Sequence, residues 1–261
     1  MKNKFHKFHM ITLSPWPLIN SLMALNLVSS MIYMFMYKSS SFMMMNMMIM
    51  MITASLWWKD IIRESLSQGA HHMMIIKGLK MGMILFITSE VFFFISFFWA
   101  YFHSMLSPTM EIGAIWPPMN INLFNPMNVP LLNTIILISS GVSITWSHHS
   151  MMKMNKKESI ISMFMTIMLG LTFSLLQLME YYQAPFSMSD SIYSSTFFLS
   201  TGFHGLHVII GSIFLMVTFI RMLKNSINKN HMISFEFSAW YWHFVDIVWL
   251  FLYLSIYWWT Y

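Results

Sequence analysis

Thirteen of the fourteen Lys and Arg residues fall in four of the eight segments outside the apolar stretches, and those four alternate along the chain. A soluble fold has no reason to alternate its cations in this way. A chain threaded back and forth through a bilayer does, because loops rich in Lys and Arg stay on one side. The apolar stretches predict seven transmembrane helices, at 16–37, 42–58, 81–106, 130–147, 159–182, 193–220 and 235–259. Lys2, Lys4 and Lys7 precede the first. Lys59, Arg63, Lys77 and Lys80 follow the second, Lys153, Lys156 and Lys157 the fourth, and Arg221, Lys224 and Lys229 the sixth. Only Lys38 falls on the other side. The rule places the N-terminus inside and the C-terminus outside.

Composition points the same way. Charged residues make up 9% of the chain, against about 25% in a soluble domain. The stretches approach or exceed the ~20 residues that cross a hydrocarbon core, where only helices and closed barrels satisfy the backbone. With 261 residues and seven spans there is room for short loops only, so residues 1–261 read as a single transmembrane domain with no internal repeat. The longest loop, 107–129, carries Pro108, Pro117, Pro118 and Pro126 and reads as an ordered irregular cap. The first apolar run lacks a small-residue cleavage site, so no cleaved signal peptide is expected. The chain has no cysteine, which excludes disulfides and thiolate metal sites. A net charge of +5 raises nucleic acid as a partner. Because the cations flank apolar spans, anionic lipid headgroups are the expected partner instead.

Methionine is overused, with 32 residues and a dense run through Met43, Met44, Met45, Met47 and Met48. A thioether copper site would need several sulfurs converging on one point. Methionines all round a helix read instead as flexible apolar cover facing lipid. Trp16, Trp57, Trp58, Trp116, Trp258 and Trp259 lie near span ends, where amphipathic rings prefer to sit. Trp57-Trp58-Lys59-Asp60, followed by Arg63-Glu64, is the densest polar cluster. It suits both ordinary helix anchoring and a phospholipid headgroup site.

Ionisable residues inside spans are costly in lipid and mark function by default. Glu90 stands among Phe86, Ile87, Phe93 and Phe94, so it needs a partner on another helix or a role of its own. His243 and Asp246 are one helical step apart and suit a pair on one face. His204 and His207 have the same spacing, with Gly202 and Gly205 beside them. Metal ligation needs three or four convergent ligands. None follows at a recognisable spacing, so these four read as structural intramembrane polar groups and no metal site is expected. Gly78 and Gly82 form a weak GxxxG at a span edge.

Longer strings carry a family resemblance. They include Ser14-Pro15-Trp16-Pro17, Trp57 to Glu64, Lys77 to Phe86, Ser89-Glu90-Val91, Phe97-Phe98-Trp99-Ala100 and Trp116-Pro117-Pro118. Pro130 to Thr134, Gly141 to Trp146, Glu180-Tyr181-Tyr182, Thr201 to Gly211 and Trp240 to Asp246 complete the set. Together they resemble the subunit 3 family of mitochondrial cytochrome c oxidases across essentially the whole chain. Gly69-Ala70-His71-His72 and the methionine-rich second span depart from the family pattern.

The resemblance implies an all-α, polytopic protein in which helices 1–2 are separated from helices 3–7 by a V-shaped cleft holding phospholipid. It implies a non-catalytic core subunit of respiratory complex IV in the mitochondrial inner membrane, with the N-terminus in the matrix and the C-terminus in the intermembrane space. The complex transfers electrons from cytochrome c to dioxygen and pumps protons. Haem and copper are expected in partner subunits and none in this chain. The expected partners are subunit 1, other oxidase subunits and membrane phospholipids including anionic lipid, with no nucleic acid. Trp57, Trp58, Arg63, His71, Lys80, Arg221 and Lys224 would then line lipid headgroups. Glu90, about 15 Å deeper than Lys80 at ~1.5 Å per residue, would be a buried acid in the lipid cleft. A transporter with Glu90 on a proton path is the competing class, and it calls for discontinuous helices. A purely structural lipid-organising membrane protein is the other.

Overall fold

The computed structural model describes residues 13–110, 113–227 and 232–261. Lys2, Lys4, Lys7 and Lys229 lie outside the described residues. Seven helices follow one another: α1 (Trp16–Tyr37), α2 (Ser41–Leu66), α3 (Met73–Leu106), α4 (Val129–Met152), α5 (Lys156–Tyr182), α6 (Ile192–Leu223) and α7 (Ile233–Leu252). The last continues as a π-helical stretch, Tyr253–Trp258. No strand occurs among the described residues. All seven helices are long and apolar enough to cross a membrane, so the chain is an all-α, multi-span membrane protein.

Local chemistry sets the ends. Pro17 sits in the first turn of α1 and Pro130 in that of α4, positions where a missing N–H costs nothing. Lys38 ends α1 in the left-handed region with φ of 52°. Ser191 caps α6, its hydroxyl accepting from the Ser194 backbone N–H at 3.1 Å. Two boundaries differ most from expectation. Helix α2 runs eight residues beyond position 58, and α3 begins eight before 81. Lys59, Arg63, Lys77 and Lys80 are therefore helical residues, not loop residues. Lys and Arg are good helix formers, and their long stems reach from a helix end into the headgroup layer.

The chain divides into two compact units, the boundary falling within α3 between Leu79 and Lys80. In the first, α1 and α2 pack as an antiparallel pair held by Thr53 Oγ1 donating to Asn20 Oδ1 and by Trp16 Nε1 donating to Asp60 Oδ2. Met44, Met45, Met47, Met48 and Met51 are all exposed along α2. They form outward apolar cover and do not converge.

The second unit has α7 at its centre. Phe235, Trp242, Trp249 and Leu252 are fully buried. Trp242 fits because Gly170 of α5 and Gly211 of α6 leave room for it. A Cβ on Gly170 would stand 2.6 Å from Trp242 Cη2, and one on Gly211 would stand 3.0 Å from Cε3. The indole N–H donates to Ser140 Oγ of α4 at 2.8 Å. Small hydroxyl residues close the α4–α5 seam, with Ser143 and Thr166 at 2.8 Å and Ser147 Oγ donating to Ser159 O at 3.0 Å. Small side chains of this kind let membrane helices approach closely, and the hydroxyls bond across the gap. The loop after α3 folds over one end of this unit, with Trp116 against Tyr101 and Tyr193 and Phe124 against Phe186 and Phe197. On the same connecting side, Ser187 donates to the exposed Asp190 carboxylate. Those bonds hold the Asp190 carboxyl below its ordinary range.

Candidate functional site

Antiparallel succession gathers the cations of the second unit at one end. The start of α3 carries Lys80, the end of α4 Lys153, the start of α5 Lys156 and Lys157, and the end of α6 Arg221 and Lys224. Lys80 Nζ meets Glu236 Oε2 of α7 at 2.6 Å, and Lys156 Nζ donates to Asn225 Oδ1 at 3.1 Å. Glu236 was not foreseen, and sequence spacing gives no signal for a partner more than a hundred positions away. Arg221 is half-buried and its Nε has no hydrogen-bond partner. Lys224, the C-cap of α6, is exposed.

In the first unit, the end of α2 presents Trp57 half-buried and Trp58 62% exposed. Asp60, Arg63, Glu64 and Gln68 border a cavity of about 270 Å³ with Ser14 and Trp16. Arg63 lies 3.6 Å from Asp60 with its side chain 70% exposed, a loose surface pair worth about 0–1 kcal/mol. His71 is half-buried just before α3.

Glu90 has a partner on another helix. Its Oε2 lies 2.9 Å from His207 Nε2 of α6. His207 Nδ1 faces the Phe203 carbonyl at 2.6 Å, and a carbonyl can only accept, so Nδ1 carries a proton. A proton on either Nε2 or Oε2 completes the Nε2···Oε2 hydrogen bond. Phe94 packs edge-on to the imidazole and Tyr241 stacks on it at 6.3 Å. Helix α3 runs unbroken through Glu90, whereas transporters of the competing class break their helices at the substrate site.

The two histidines singled out together do different things. His204 is fully buried, its Nε2 donating to the Val245 carbonyl at 3.1 Å between Phe173 and Trp249. His243 and Asp246 each lie close to Gly141 of α4. A Cβ there would lie 2.8 Å from Asp246 Oδ2 and 3.8 Å from His243 Nδ1. The His204 bond ties α6 to α7. Among the described residues, no group of three or more His, Asp or Glu side chains converges as a metal site would require.

A seven-helix chain with these strings has known relatives. Residues 6–261 match the family described as Cytochrome c oxidase subunit III. The chain belongs to that family. Cytochrome c oxidase subunit 3 of Ceratotherium simum is 56% identical over 259 residues, covering 99% of each chain. The subunit 3 proteins of Syncerus caffer and Phoca vitulina are similar to the same extent. A subunit III chain is one component of the oxidase and works in a complex with the other oxidase subunits.

Proposed function

We propose that this chain is a non-catalytic core subunit of the mitochondrial oxidase, in the inner membrane, where the complex passes electrons from cytochrome c to dioxygen and pumps protons. Family membership across nearly the whole chain carries this reading. Within the complex it stabilises subunit 1, supports sustained proton uptake and holds structural phospholipid; haem and copper reside in partner subunits. Lipid headgroups are held by Trp57, Trp58, Arg63, His71, Lys80, Arg221 and Lys224, with Glu90 deeper, beside the acyl chains. The exposed Arg63 fork and the half-buried Arg221 with its unpartnered Nε support the assignment, because guanidinium donors match phosphate oxygens in pairs.

Each cation near an anionic lipid surface contributes about 1 kcal/mol. Changing Arg63 and Arg221 to Gln together is therefore expected to weaken retention of anionic phospholipid by about 2 kcal/mol, roughly thirtyfold. The initial rate of electron transfer in the purified complex should stay near the wild-type value while activity decays sooner during continuous turnover. Unchanged lipid content together with undiminished endurance removes the lipid assignment.

Orientation follows from the charge alternation, which puts the matrix on the lysine-rich side. In mitochondria with an opened outer membrane, the turn before Lys156 and the segment after Lys224 should resist added protease, while the loops around Pro117 and Asp190 should be cut. Cleavage before Lys156 from outside reverses the topology.

A further inference from the structure

We propose that Asn133, Gln177, Glu180 and Tyr257 form an internal site for an ordered water molecule, at the end of the second unit opposite its lysines. The four residues come from the start of α4, the end of α5 and the π-helical end of the chain. Their exposures are 0%, 5%, 2% and 2%. Asn133 Nδ2 donates to Gln177 Oε1 at 3.4 Å. Asn133 Oδ1, Gln177 Nε2, both Glu180 oxygens and the Tyr257 hydroxyl then lack a well-formed hydrogen bond within the chain. The Tyr257 hydroxyl interacts with both Glu180 and Gln177, through contacts too long or too bent to satisfy them, so these groups form one cluster.

Buried polar groups in folded proteins are paired with protein or ordered water, and a cluster with this many orphans calls for a ligand. The chemistry of the set selects which one. Asn133 Oδ1 and a Glu180 oxygen can only accept from a guest, whereas Gln177 Nε2 and the Tyr257 hydroxyl can donate to it. A water molecule donates two hydrogen bonds and accepts two, and buried waters have two to four such partners. A metal ion would leave the Gln177 amide hydrogens facing a positive charge.

No basic side chain among the described residues acts on Glu180. The groups that do are phenols, Tyr257 from the chain end, Tyr193 from α6 and Tyr181 on its own helix. Among the described residues, then, no guanidinium or ammonium is the missing partner. The backbone supports the same reading. The Trp259 N–H bonds back five residues to the Leu254 carbonyl at 3.0 Å. Such π-helical turns are frequent at functional sites, and this one carries Tyr257.

The decisive experiment is a map of the intact oxidase sharp enough to show ordered water. A peak within hydrogen-bond distance of Glu180 and at least two of the other three side chains is expected. In a Glu180→Leu complex the peak should vanish, and in Glu180→Gln it should remain. Should Glu180→Leu fail to assemble, Tyr257→Phe removes one donor at nearly constant volume and should lower the occupancy of the peak. Ordered side chains with no peak, a peak with the short ligand distances of a bound cation, or an unaltered peak in Glu180→Leu or Tyr257→Phe overturns the proposal.

Discussion

Replacing His207 with leucine is expected to destabilise the packed subunit by about 3–5 kcal/mol, because it strands the Glu90 carboxyl among phenylalanines. The side chains of the pair are only 11% and 24% exposed, so water offers little relief. Changing both residues to leucine should cost far less than the single change, since a buried pair exchanged for apolar groups of similar volume is often neutral. Glu90→Gln should be milder still, within about 1 kcal/mol, because its amide can donate to an unprotonated His207 Nε2. Release of the subunit from the purified complex with rising detergent or temperature measures each variant. Equal losses in His207→Leu and in the double variant would show that the pair carries no coupling, and Glu90 would then act through something else. Neither substitution should alter haem or copper content of the retained complex.

Trp242→Ala should destabilise the second unit by about 3–5 kcal/mol through lost packing and the cavity left behind. The indole is fully buried at the crossing of four helices, and its N–H bond to Ser140 goes with it. The opposite change has a related cost. Gly170→Ala puts a methyl 2.6 Å from Trp242 Cη2, and overpacking of this kind costs about 1–3 kcal/mol. The two should not add. In a Trp242→Phe background, the smaller ring leaves the space that the new methyl needs, so Gly170→Ala should be nearly silent. A thermal-unfolding series of the four variants in the complex measures the coupling, and simple additivity would mean that Gly170 and Trp242 do not share one packing site.

What each residue does at these positions was legible to very different degrees. The string Thr201 to Gly211 read as carrying structural polar groups inside a span, and spacing alone set His204 and His207 side by side as one candidate pair. In the fold, one faces a carbonyl of α7 and the other a carboxyl of α3. A helical step places two side chains on roughly the same face, but which neighbour each meets depends on how the other helices cross. Glu180 shows the same gap. It lay within a quoted string with nothing to single it out, because its polar neighbours come from positions 133 and 257, and Gln177 was unremarkable among leucines.

The sequence by itself determined the number of spans and their order, and it sets the expectation for how they alternate across the membrane. Those follow from apolar length and from where Lys and Arg fall, quantities that depend only on local residues and on the bilayer. It also placed Trp242 and Glu90 inside spans, since both sit within long apolar runs. The tertiary structure alone decided that Glu90 pairs with His207, that Lys80 meets Glu236, and that Gly170 and Gly211 make room for one indole. Each of these joins residues far apart in the chain, and a helix can rotate about its axis without changing its hydropathy. Only the packing of helix against helix fixes that rotation, and with it the partner of every buried polar group.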